Sequence, residues 1–170
     1  MGTRNLTKVI DKDGVTKVAQ YGQWDGYPSG QGVNALVHAY NYRQIEKGLG
    51  KVRWATQEEL DEIYSKFTEM NRLGTDDSKN FGLLYPNLTR DTCADILGVV
   101  AWSVGEVILV DESAFEKDDL FCEGVYTIDF QQRKFVSWYG GKTIEFSLDA
   151  LPTREEYLTA FGYKREEVAV

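Results

Sequence analysis

The chain has one histidine, two cysteines and no long uninterrupted apolar run. Each scarcity removes a class of function. A lone His38 supports serine–histidine–aspartate chemistry only if that residue faces a site, and a partly exposed helix position is the plainer expectation. Cys93 and Cys122 are far apart and form no CxxC, so no zinc site or other metal centre is expected. Both thiols read as buried, reduced and structural. The best apolar stretch, Ile96 to Val110, is broken by Trp102, Ser103, Gly105 and Glu106, so no membrane partner is expected. The opening Met1-Gly2-Thr3-Arg4-Asn5 carries no apolar leader or myristoylation pattern, and the expectation is a cytoplasmic protein. No Gly-Lys-Ser/Thr sequence is present, which removes a P-loop ATPase. A basic excess is also missing. The net charge is −8 and the pI near 4.7, which disfavours direct duplex nucleic-acid binding.

What is present fits one α+β domain over residues 1–162, with residues 163–170 as a frayed tail. A length of 170 residues buries roughly two-thirds of the unfolded surface without staples. Asn5 to Ile10 and Val15 to Tyr21 read as a hairpin around Asp13-Gly14. Val33, Leu36, Val37, Tyr40 and Ile45 recur at helical spacing and predict a helix from about Gln31 to Gly48. Thr56 with Glu59 forms a capping box for a helix to Leu73, closed by Gly74. Thr75 to Thr89 has no period; Asp76 to Asn80 reads as polar loop, and the following apolar residues as packed onto the core. A third helix is expected from Asp91 to about Ser103. Val107 to Val110, Phe121 to Phe130, Lys134 to Tyr139 and Thr143 to Ser147 read as strands, the last three as a meander. Thr153 with Glu156 caps a final short helix. The fold expected is a mainly antiparallel sheet, N-terminal hairpin joined to C-terminal meander, with three to four helices on one face.

Between hairpin and helix lies Gln23-Trp24-Asp25-Gly26-Tyr27-Pro28-Ser29-Gly30-Gln31-Gly32. Trp24 and Tyr27 could stack on a planar ring, and Asp25 could accept from its N–H groups. Ser29, Gln31 and the N–H groups of Gly30 and Gly32 would sit at a helix N-terminus, where anions bind, and Gln23 belongs to the same candidate ligand-binding loop. The alternative is a structural Ω-loop with Trp24 in the core. Arg4 could pair with Asp25 or with a ligand carboxylate or phosphate. A Cys93–His38 dyad is disfavoured by the apolar setting of Cys93. The acidic run Asp111 to Asp119 lacks calcium-loop spacing and reads as a solvated loop.

The words Met1-Gly2-Thr3-Arg4-Asn5-Leu6-Thr7 and Val18 through Gly32 resemble a family of small proteins of bacteria and bacteriophages. Leu88 to Leu97, Val125 to Asp129 and Leu148 to Pro152 are similar to it as well. The resemblance implies a site location at the loop and no particular activity; Cys93 stands where a small residue such as glycine would be expected. More loosely, the hairpin and loop look like the opening of N-terminal-nucleophile hydrolases. This chain departs there, because Gly2 carries no nucleophile.

Three functions follow as expectations. The first is a binding protein of phage or mobile-element type, without cofactor, that holds a small polar ligand such as a nucleotide. Sequestering a host signalling nucleotide would be its use. The second is a hydrolase built on Asp25 and Arg4. The third is an acidic inhibitor of a host protein. Self-association is left open.

Overall fold

The computed structural model describes residues 2–72 and 78–164. The first hairpin forms as the sequence predicts: β1 (Asn5–Ile10) pairs antiparallel with β2 (Thr16–Gly22). Its turn is closed by the Asp11 carboxylate, which accepts from the N–H groups of Asp13 and Val15, both at 2.9 Å. The meander also forms. β5 (Gly124–Asp129), β6 (Lys134–Tyr139) and β7 (Lys142–Ser147) pair antiparallel in turn.

Hairpin and meander share one sheet of order β2-β1-β5-β6-β7, so the sheet is mainly antiparallel as expected. The seam differs: β1 and β5 run parallel, Leu6 opposite Val125. Both strands therefore start at the same end. Arg4 and Glu123 fasten that end, with the Arg4 N–H donating to Glu123 Oε2 at 2.9 Å and the Glu123 N–H to the Arg4 carbonyl at 3.1 Å.

Alternation divides the sheet into two faces. On the inner face Val9, Val18, Tyr126, Ile128 and Phe135 meet the buried sides of α1 (Val33–Ala39), α2 (Tyr42–Gly48), α5 (Ile96–Trp102) and α6 (Arg154–Ala160). On the outer face Leu6 and Val125 pack with Cys122, Phe115 and Trp138. A second, two-stranded parallel sheet pairs β3 (Val52–Trp54), which follows α2, with β4 (Val107–Leu109), which follows α5; α3 (Gln57–Arg72) and α4 (Ser78–Leu84) lie between the two strands in the chain. Three half-buried residues make β3 too short to show a period, so the sequence reading misses it.

Several boundaries move for local reasons. The single helix expected to Gly48 is two, parted at Tyr40-Asn41, where Asn41 has φ −102° and ψ 30°. Its buried face is Ala35, Leu36 and Ala39, while Val37 and Tyr40 are half exposed. The helix expected from Asp91 starts at Ile96, because Cys93 has φ +47° and cannot continue an α-helix. The two capping boxes are as read: Thr56 Oγ1 accepts from Glu59 at 3.2 Å, and Thr153 Oγ1 from Glu156 at 3.2 Å. Residues 78–84 are helical rather than loop, and Leu83 and Leu84 are exposed rather than packed on the core. After α6, Gly162 and Tyr163 close a Schellman turn onto Thr159 and Leu158, and Tyr163 packs against the core. The expected helix stop at Gly74, the loop residues Asp76 and Asp77, and tail residues 165–170 lie outside the described residues. Among the described residues, no helix is long and apolar enough to cross a membrane.

Candidate functional site

The glycine-rich loop crosses the end of the sheet and is clamped there through its backbone. The Gly26 N–H donates to the Thr3 carbonyl at 2.9 Å, and the Gly26 carbonyl accepts from the buried Tyr126 hydroxyl at 2.6 Å. Asn5, fully buried, donates its amide to the carbonyls of Gly22 and Trp24. The Gln23 N–H reaches the Arg90 carbonyl at 2.9 Å, while its side chain accepts from the Tyr21 hydroxyl at 2.6 Å.

Residues Pro28–Gly32 then form one wide helical turn that leads into α1. This turn uses the N–H groups that an anion would need. Gly30 and Gly32 both donate to the Tyr27 carbonyl, Gln31 to the Asp25 carbonyl at 2.8 Å, and Val33 to Pro28. The expected anion site at Gly30 and Gly32 is therefore corrected: those donors are spent inside the turn. The glycines serve close packing instead. A Cβ on Gly32 would lie 2.4 Å from Tyr157 Oη and 2.9 Å from the Tyr126 ring; one on Gly30 would lie 2.2 Å from the Asp25 carbonyl oxygen.

The side chains divide into two groups. Gln31 points inward, its carbonyl accepting from the Ala94 N–H at 3.2 Å and from Asn34 at 3.3 Å. Ser29 is exposed, 3.4 Å from the Tyr163 hydroxyl. Trp24, Asp25 and Tyr27 are exposed on the rim, so the alternative of Trp24 plugging the core is also corrected. Asp25 sits at φ +52°, a left-handed conformation that aspartate tolerates better than most residues. Its carboxylate accepts from the Tyr27 hydroxyl at 3.0 Å and holds that phenol above its usual range. Arg4 takes no part. Its guanidinium lies 4.5 Å from the Phe121 ring centroid, so the expected Arg4–Asp25 pair is not formed.

The structure adds residues that the sequence reading left out. The Trp24 indole N–H donates to Asp91 Oδ1 at 2.7 Å. Asp91 also lines a groove of about 630 Å³ with Phe81, Leu83, Pro86, Asp95 and Val99. Asp95 accepts from Asn34 at 3.0 Å and lies 3.2 Å from His38 Nε2. Trp24 is therefore joined through Asp91 to a groove with an apolar wall and two carboxylates. Asp91 and Asp95 line one groove, with the left-handed turn at Cys93 between them; in sequence they are merely two aspartates around an apolar start.

Cys93 does not join them as a nucleophile. Cys93 is buried, its sulfur lies 3.8 Å from the Trp24 carbonyl and 3.6 Å from that of Arg90, and burial pushes its pKa up. The positive φ at Cys93 suits the glycine expected there. Among the described residues, no group of three or more His, Cys, Asp or Glu side chains could hold a metal ion. The acidic run is not a free loop either. Glu112 accepts from the Tyr21 N–H at 2.7 Å, and Glu116 pairs with Lys8 at 2.6 Å. No family model, curated protein or solved structure matches the chain.

Proposed function

We propose that the protein is a binding protein that holds a planar, hydrogen-donating small molecule, such as the base of a nucleotide, between the Trp24 rim and the groove beside it. One observation carries this reading: Asp91 both fixes the exposed Trp24 ring and lines the groove. An aromatic face fixed in orientation costs little entropy when a ring stacks on it. The carboxylates of Asp25, Asp91 and Asp95 suit ring N–H donors and repel phosphate. The spent N–H groups of Gly30 and Gly32 favour the same end of the ligand. A signalling nucleotide held by its base is thereby sequestered. The hydrolase reading has less support, since Arg4 is stacked on Phe121 and does not stand beside Asp25 as its electrostatic partner.

Mass spectrometry of molecules released on denaturation, followed by calorimetric titration of nucleobases, nucleosides and nucleotides, tests the proposal. Trp24→Ala is expected to weaken binding about tenfold or more, with Asp25→Asn, which keeps the left-handed backbone accessible, weakening it less. Absence of binding across the panel, or binding indifferent to Trp24→Ala, would sink it.

A further inference from the structure

The outer face of the sheet is only half covered. The segment from Glu112 to Cys122 lies over β2, β1 and the near side of β5: Tyr21 meets Phe115 edge to face, with centroids 4.8 Å apart, and the Glu112 N–H donates to the Ala19 carbonyl at 3.1 Å. Past β5 the cover thins, leaving the outward Val136 and Trp138 of β6 half-buried and the outward Thr143 and Glu145 of β7 exposed. At its edge is a cleft of about 340 Å³, a size suited to a small organic molecule. Its floor is Val125, Val136 and Trp138; its wall carries Glu116, Asp118 and Asp119.

The charges around this cleft are not cancelled. Lys8 occupies one oxygen of Glu116. Asp118 spends one oxygen on the N–H groups of Leu120 and Phe121, at 3.1 and 3.0 Å. Asp119 is exposed. Glu116, Asp118 and Glu123 together add to the burial that pushes the Cys122 thiol up to about 11, which places their field at the cleft wall. An apolar, aromatic floor under a negative wall is complementary to one chemistry: a cation on an apolar stem, drawn by the carboxylates and stacked on the indole.

We infer that the cleft between the 116–122 segment and the β6–β7 face is a binding site for an organic cation, an ammonium or guanidinium group carried on an apolar stem. The site is on the opposite face of the sheet from the helices and is independent of the groove at Trp24. Its cation can be a free amine or a basic side chain of another protein, and the probes separate the two.

Phenethylamine, its neutral isostere 2-phenylethanol and a Lys/Arg-containing hexapeptide are titrated into the full-length protein, followed by ¹⁵N–¹H spectra. Phenethylamine is expected to bind saturably, with shifts centred on Val136, Trp138 and Thr143 rather than on Trp24. Asp119→Asn and Trp138→Leu are each expected to weaken it about tenfold, and raising salt to 0.5 M is expected to weaken it further. Tighter binding of the peptide with the same shifts assigns the site to a basic protein partner; tighter binding of the amine assigns it to a small molecule. Equal binding of 2-phenylethanol, shifts centred elsewhere, or no binding by either cation overturns the inference. Asp119 has an exposed side chain, so the spectrum of Asp119→Asn is expected to keep its dispersion; this variant decides the matter should Trp138→Leu misfold.

Discussion

Two segments hold the ends and faces of the same sheet, and they do so by different means. The loop from Gln23 to Gly32 is fastened by neutral backbone hydrogen bonds and by fit: Gly26 is held at both its N–H and its carbonyl, and Gly32 rests against Tyr126 and Tyr157. The segment from Glu112 to Cys122 is fastened by carboxylates, Glu112 on the Tyr21 N–H and Glu116 on Lys8. The first kind of fastening is steric and insensitive to pH. The second follows charge. A loop that looks like a ligand cradle is thus largely scaffold with an exposed aromatic rim, and an acidic run that looks solvated is a strap.

The largest effect expected on this comparison comes from Gly32→Ala. The added methyl would sit 2.4 Å from Tyr157 Oη and 2.9 Å from Tyr126 Cε1, two rings that are themselves buried. Neither can swing away without opening the core, so a loss of about 3 kcal/mol or more is expected, against the 1–3 typical of overpacking. Thermal unfolding measures it. A change below about 0.5 kcal/mol would show that the loop is not seated by fit.

Tyr126→Phe comes next. It removes the 2.6 Å bond to Gly26 and leaves that buried carbonyl unpaired, for an expected cost of about 1–3 kcal/mol. Burial already holds the Tyr126 phenol well above its usual range, so this bond is made by a neutral hydroxyl at all ordinary pH. The loss in Tyr126→Phe is therefore expected to be the same at pH 5 and pH 8. A loss that changes across that range would erase the contrast between the two fastenings.

The legible part of the molecule was what short-range patterns encode. Asp-Gly turned the hairpin, Thr56/Glu59 and Thr153/Glu156 capped helices, and the alternation of Tyr126, Ile128 and Phe130 chose the inner face. The parallel seam between β1 and β5 was not legible, because it depends on where a chain returns after more than a hundred residues. The loop was readable as aromatics, glycines and a carboxylate between hairpin and helix, but not whether Trp24 faced solvent or the core. Asp91 and Asp95 were not readable as neighbours in one groove, since the left-handed backbone at Cys93 between them is invisible in composition. Arg4 was expected beside Asp25 or a ligand carboxylate or phosphate, and only packing shows that its guanidinium lies over Phe121.

The smallest effect concerns the strap, and its sign matters more than its size. Burial raises the Glu112 carboxyl above its ordinary value, more than the Tyr21 N–H lowers it. A raised acid pKa means that the folded protein takes up the proton more readily than the unfolded chain. Ionised Glu112 therefore opposes folding above its folded pKa, and the penalty is relieved as pH falls from there toward the ordinary value near 4.5. Glu59 runs the other way. Arg53 and the Thr56 N–H bring it down to about 2, so its contribution is present above about 4.5 and is lost as pH falls through 2. Glu112→Gln keeps an acceptor for Tyr21 and removes the charge. At pH 7 this variant is expected to match or exceed the wild type, within about 1 kcal/mol, and the margin is expected to shrink as pH approaches 4.5. Paired melting curves at the two pH values read it. If Glu112→Gln is destabilised at pH 7 and the deficit closes in acid, the ionised carboxylate is itself the clasp, and the strap is held by a charge-assisted bond strong enough to outweigh its burial.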